Sequence, residues 1–156
     1  MKQNKIAVAA IVLWLATLAA AAWFFVRGNT GAGTDGRTAV VLQAHERDLI
    51  LAEMRGLLLS THDVLEGLNR NDLKQVVRAA RAAGMGSAAD VNPALMAKLP
   101  LEFKQLGMTV HHRMDDLAQA AEAGKPAPEL MGMLTDTLSS CVACHSAWQL
   151  QAEHAR

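Results

Sequence analysis

The sequence predicts an all-α protein: an antiparallel four-helix bundle carried behind one N-terminal transmembrane helix. Three observations lead there. Residues Ile6 to Val26 form a run of 20 apolar residues in 21, interrupted only by Thr17. From Ala39 onward apolar side chains recur with a helical period, and no alternating β-like stretch stands out. The breaks between the periodic segments are mostly short and rich in Gly, Pro and Asn, as antiparallel neighbours in a bundle require.

The apolar run comes first. As a helix, 21 residues span about 31 Å, close to a hydrocarbon core of about 30 Å. Lys2 and Lys5 precede it and Arg27 follows it, so the positive-inside rule holds the N-terminus in the cytoplasm and sends the remainder across. Trp23, Phe24 and Phe25 before Arg27 read as an interfacial aromatic belt. The competing reading is a cleaved signal peptide, for which Ala20-Ala21-Ala22 offers a small-residue site. The apolar stretch is longer than a usual signal core and runs past that site, which favours the anchor. Residues 1–27 are therefore assigned to an anchor or signal segment. Residues 28–38, with four Gly in 11, are assigned to a flexible linker with a root-mean-square span of about 18 Å. Residues 39–156 are assigned to the bundle.

Within the bundle, the first helix covers 39–69 and places Ile50, Met54, Leu57, Leu58, Thr61, Leu65 and Leu68 on one stripe. Asn69-Arg70-Asn71 breaks it, and Asn71 or Asp72 can cap the next helix. That helix buries Leu73, Val76, Val77 and Ala80 and stops at Gly84. A loop through Gly86 and Asn92-Pro93 follows, with a short turn at Ala94–Lys98. The third helix starts near Pro100, with Phe103, Leu106, Val110, Met114, Leu117 and Ala121 inward, and ends at Gly124-Lys125-Pro126. The fourth starts near Pro128 and carries Leu130, Leu134, Leu138, Cys141, His145 and Trp148 on one face.

Charge and composition narrow the function. The chain is formally neutral, but the three flanking cations leave 12 of the 15 basic side chains against all 15 acidic ones beyond residue 27. A slightly acidic head argues against nucleic-acid binding, and two Cys cannot make a disulfide framework. Outside the apolar run roughly 44% of residues are apolar, an ordinary value. Aromatic residues are scarce there: only Phe103 and Trp148 remain, and the chain has no Tyr. No nucleophile triad, phosphate-cradling Gly loop or paired-carboxylate constellation is present, so the protein is not expected to be an enzyme.

Cys141-Val142-Ala143-Cys144-His145 is the C-x-x-C-H pattern of covalent haem attachment. Two thiols three residues apart can add to the two vinyl groups of one porphyrin, and the adjacent imidazole can ligate its iron. Positions 141, 144 and 145 share one face of a helix. Half a zinc site would need a second ligand pair, a thioredoxin-like redox pair a βαβ context, and a disulfide a geometry that is poor inside a helix. One covalent haem c is the expected cofactor, and it would supply the flat apolar surface that the aromatic-poor core lacks.

With this motif on its last helix, the chain resembles class II cytochromes c, cytochrome c-prime and its low-spin Met-ligated relatives. The resemblance covers about 40–156. It implies that Cys141, Cys144 and His145 hold the haem from its proximal side, with His145 as iron ligand. It also implies that a first-helix residue either ligates the iron or blocks it. Met54 is that residue here, and an Arg nearby, Arg55 or Arg47, would pair with a haem propionate. Competing ligands are Met85, Met96, Met108, Met114, Met131, Met133 and the His111-His112 pair, whose bland reading is an exposed or rim position. The expected function is one-electron transfer on the periplasmic side of a bacterial inner membrane. The expected partner is a redox protein, such as a membrane respiratory complex. The alternative is a five-coordinate haem that binds nitric oxide or carbon monoxide. The resemblance further implies a homodimer through the first two helices.

Overall fold

The computed structural model describes residues 2–88 and 92–153. Met1, part of the loop after Gly86 (89–91) and the last three positions of the expected domain (154–156) lie outside the described residues, as does the side chain of the flanking Lys2. Among the described residues 77% are helical, in six α-helices and a 3₁₀ turn, one of the α-helices N-terminal and apolar, and a small sheet is present.

Helix α1 runs from Lys2 to Arg27, and its Asn4–Arg27 stretch is long and apolar enough to cross a membrane. Its Trp14, Trp23, Phe24 and Phe25 side chains are all more than half exposed, as lipid-facing side chains would be. The helix ends at Gly28, whose φ of +63° suits glycine. A Cβ there would meet the Lys98 carbonyl oxygen and the Pro100 nitrogen at 2.5 Å, so the exit from α1 lies directly on the corner ahead of the third long helix. The Asn29 N–H donates to the Lys98 carbonyl across 2.7 Å and fastens that approach.

The segment expected to be a flexible tether is a hairpin instead. Strands β1 (Thr30–Ala32) and β2 (Thr38–Leu42) pair antiparallel, with Thr30 opposite Val40. Between them lies Asp35-Gly36, a strong hairpin signal, with Gly36 at φ +89°. A third strand, β3 (Trp148–Ala152), pairs parallel to β2, with Thr38 opposite Trp148 and Leu42 opposite Ala152. Trp148 therefore ends the last helix rather than continuing it. Trp148-Gln149-Leu150-Gln151-Ala152 does alternate apolar and polar, the period-2 pattern of a strand.

The remaining helices are α2 (Ala44–Asn69), α3 (Leu73–Ala82), α4 (Pro93–Lys98), α5 (Leu101–Glu122) and α6 (Ala127–Ala147), with a 3₁₀ turn at Met85–Ala88. Asp72 caps α3 by accepting from the Gln75 N–H at 3.0 Å, and Asn92 caps α4 by accepting from Ala94 at 2.9 Å. Asn71 takes a left-handed φ of 55° at the break, a conformation that Asn tolerates. Gly84 is needed for space rather than for a left-handed cap, because the Asp115 carboxylate closes on it while accepting from the Met85 N–H at 2.9 Å. Lys98 pairs with Glu46 at 2.6 Å and ties α4 to the first turn of α2.

The packing is that of a chain of helix pairs: α2 on α3, α3 on α5, and α5 on α6, with α2 and α6 touching more lightly. The described residues thus form a mostly helical head with a small sheet added to it, and these contacts do not establish a closed four-helix bundle. One core cluster joins α2, α3, α5 and α6 around Val64, Val76, Met114, Leu117, Leu130 and Leu134. A second joins β2, α2, α4 and α5 around Val40, Leu42, Ile50, Leu95, Leu99 and Phe103, with Met54, Cys144, Trp148 and Leu150 packed against it. The inward stripe is narrower than its period suggests, because Leu58, Leu65 and Leu138 are exposed.

His111, expected at a rim, is buried at 4% exposure. Its Nδ1 lies 2.8 Å from the Ala83 carbonyl and its Nε2 lies 3.1 Å from Glu53 Oε1. Both neighbours are acceptors, so the imidazolium satisfies them best, and chiefly the Glu53 carboxylate holds the pKa above the usual histidine value despite burial. A raised folded-state pKa contributes stability that is complete below the unfolded value near 6.5 and is lost as pH rises through the folded one. Thermal scans from pH 6 to 9 should show the melting temperature falling as pH rises. Glu53→Gln should flatten that slope.

Candidate functional site

The last two turns of α6 carry the C-x-x-C-H residues, and helical pitch sets Cys141, Cys144 and His145 on one side. Both cysteines are free thiols, half-buried, and burial raises both pKa values; the neighbouring Cys141 and Glu102 push Cys144 further in the same direction. Cys141 Sγ approaches the Thr137 carbonyl at 3.8 Å. His145 is exposed and ends the helix at the sheet.

A cavity of about 260 Å³ opens beside this turn, and its lining brings together Cys144 and His145 of α6, Leu51 and Met54 of α2, and Phe103 of α5. Trp148, Gln149 and Leu150 of β3 and Arg37 of the hairpin complete the wall. Two sequence expectations therefore meet in one place: the proposed proximal ligand His145 and the proposed distal ligand Met54. Trp148 stands edge-on to Phe103, with ring centroids 6.2 Å apart at 90°. Its indole Nε1–H is buried and has no hydrogen-bond partner among the described residues. A buried donor left unpaired costs about 1–3 kcal/mol, so an acceptor belongs there.

The expected propionate partner is displaced. Arg55 is exposed and does not line the cavity, and Arg47 is engaged with Asp48 at 3.2 Å. The arginine at the site is Arg37, from the segment read as a tether. Its Nη1 donates to the His145 carbonyl at 3.0 Å and to the Trp148 carbonyl at 3.1 Å. Its Nε and Nη2 donate to Asp35 at 2.9 and 2.6 Å, and this guanidinium holds the Asp35 carboxyl below the usual carboxylate range. Gln149 also donates to Asp35, at 2.9 Å. The hairpin loop thereby clamps the backbone on which His145 and Trp148 sit. Asp35-Gly36 followed by Thr38-Ala39-Val40-Val41-Leu42 was the available sequence signal for this arginine.

The other candidate ligands lie elsewhere. Met114 is in the first core cluster, Met96 packs against the second without lining the cavity, and Met108 and His111 line a different cavity. His112 and Met131 are exposed, while Met85 and Met133 are half-buried away from the site. Among the described residues no three His, Cys, Asp or Glu side chains cluster to hold a bare metal ion. The cavity lining instead gathers the Cys144 thiol, the His145 imidazole and the Met54 thioether, while the second thiol, Cys141, lies outside that lining. A search against family models, curated proteins and solved structures returned no match to the chain.

Proposed function

We propose that the chain is a membrane-tethered monohaem c-type cytochrome of the class II kind, which carries single electrons on the periplasmic side of a bacterial inner membrane. The observation that carries this reading is the sharing of one cavity by Met54, Cys144 and His145. Haem, when bound, supplies a one-electron iron couple whose potential the axial donors set.

Every other part of the task falls to the chain. Cys141 and Cys144 would attach the group, His145 and Met54 would ligate its iron, and Trp148 Nε1–H would be available as a hydrogen-bond donor to it. Leu51, Phe103 and Leu150 keep the wall apolar, which favours a high potential by limiting solvent access. Arg37 holds the His145 carbonyl in place, so the imidazole moves little between redox states. Val142, 65% exposed, and Leu138 lie beside the motif and offer an apolar contact to a redox partner. Anchorage through α1 would confine the head near membrane complexes and raise its effective concentration there.

The test is spectroscopic. Purified protein matured in an exporting bacterium should give the pyridine haemochrome of a c-type haem at one per chain. Its ferric and ferrous forms should be low-spin, and a potentiometric titration should follow a one-electron curve. A protein without covalent haem would end this reading.

A further inference from the structure

A second cavity, of about 590 Å³, is larger than the one beside the C-x-x-C-H turn. It lies between α2 and α5 and is closed by the end of α3, the 3₁₀ turn and α4. Its volume sits well inside the range of small-molecule sites, roughly 300–1,000 Å³.

Two glycines make it wide. Gly56 of α2 and Gly107 of α5 both line it, and a Cβ on either would meet nothing within 4 Å. Neither has a positive φ, and neither lets another element approach closely. Glycine is the least favourable helix-interior residue after proline, so both positions weaken their helices and keep the space open.

The charges in the wall do not balance. His111 and Glu53 pair with each other at 3.1 Å. Lys104, nine-tenths buried, has no such partner among the described residues: its Nζ meets the Phe25 carbonyl at 3.4 Å and the Met96 carbonyl at 3.3 Å, and sits 3.9 Å above the Phe25 ring. Its partners are carbonyls in the last turns of α1 and α4 and a ring face, with no carboxylate within ion-pair distance among the described residues. Phe25 stands near the C-terminal end of α1, and the exposed Leu49 and Leu59 form part of the cavity wall. Lys104 thus lies where the head meets the end of α1.

We propose that this cavity binds one long-chain carboxylate, a fatty acid, with its head at Lys104 and its alkyl chain folded among the apolar side chains beside Gly107 and Gly56. Lys104 and Gly107 share one face of α5, so the chain leaves the ammonium along that helix. The reading of α1 as a membrane anchor bears only on the access route, from the bilayer surface; binding does not depend on it, nor on haem.

The test uses the full chain in phosphatidylcholine nanodiscs, with a dansylated undecanoate as fluorescent probe. The probe should bind saturably at one per chain and be displaced by palmitate at least tenfold more effectively than by hexadecanol. Lys104→Gln should weaken palmitate at least tenfold and leave hexadecanol unchanged. Gly107→Leu, which puts a side chain into the middle of the cavity, should weaken binding of both at least tenfold while preserving helicity, and Gly56→Leu should do the same should the first variant misfold. Undiminished binding in a folded cavity-filling variant, equal affinity for palmitate and hexadecanol, or no saturable binding would overturn the proposal. The haem spectrum, read in the same samples, should be unaffected by palmitate.

Discussion

A chain carrying Cys141→Ala and Cys144→Ala is expected to lose covalent haem completely, and with it much of the stability of the end of the head that holds the C-x-x-C-H turn. On a denaturing gel stained for haem, the wild-type band should be positive and the variant blank. The stability effect has a local cause. The second core cluster contains one buried aromatic residue, Phe103, with Trp148 packed at its edge. It borders a cavity of about 260 Å³, and Trp148 in that wall has a buried indole N–H with no acceptor among the described residues. A porphyrin would supply both the missing apolar surface and the acceptor. A group bound only by the folded chain stabilises it, and the loss of a large buried apolar group costs about 3–5 kcal/mol. At about 2–4 °C per kcal/mol for this chain length, the melting temperature should fall by about 10 °C. Equal melting temperatures for the two proteins would mean that the cavity is not a haem site.

Met54→Ala is expected to change the iron rather than the attachment. Met54 lines the same cavity as His145 from α2 and packs against the second core cluster, and its replacement leaves no other thioether in the lining. The haem stain should persist. The low-spin spectrum should become high-spin, carbon monoxide should now bind the ferrous form, and the reduction potential should fall, since a Met ligand raises it. A low-spin spectrum that survives the substitution would remove Met54 as the ligand. A wild-type protein that is already high-spin and takes up carbon monoxide would instead make Met54 a steric gate and the protein a gas binder. One spectrum with and without carbon monoxide separates these outcomes.

Arg37 marks the limit of reading the site from the chain alone. The resemblance to class II cytochromes c implies a propionate-pairing arginine on the first helix, with Arg47 and Arg55 as the candidates flanking Met54. Arg37 reaches the site because a parallel strand pairing lays residues 38–42 against 148–152. Contacts across more than 100 positions leave no periodic trace. The strands escaped notice for a related reason: Ala39-Val40-Val41-Leu42 is too short for its period to separate a strand from the start of a helix. His111 posed the opposite problem. A histidine on a helix reads as a rim residue until a carboxylate from another helix, Glu53, is brought within 3.1 Å of it.

What the chain determined by itself was local. The apolar length of α1, the helical segments with their Asp72, Asn92 and Gly124 ends, and the grouping of Cys141, Cys144 and His145 all follow from spacing along one helix or one turn. What only the tertiary structure decided was which of these local features share a wall. It set Met54 beside His145 and Arg37 behind it. It placed His111 away from the C-x-x-C-H turn, and it left a second cavity between α2 and α5. Periodicity says which side of a helix faces inward, but packing and strand pairing between distant segments choose what that side meets.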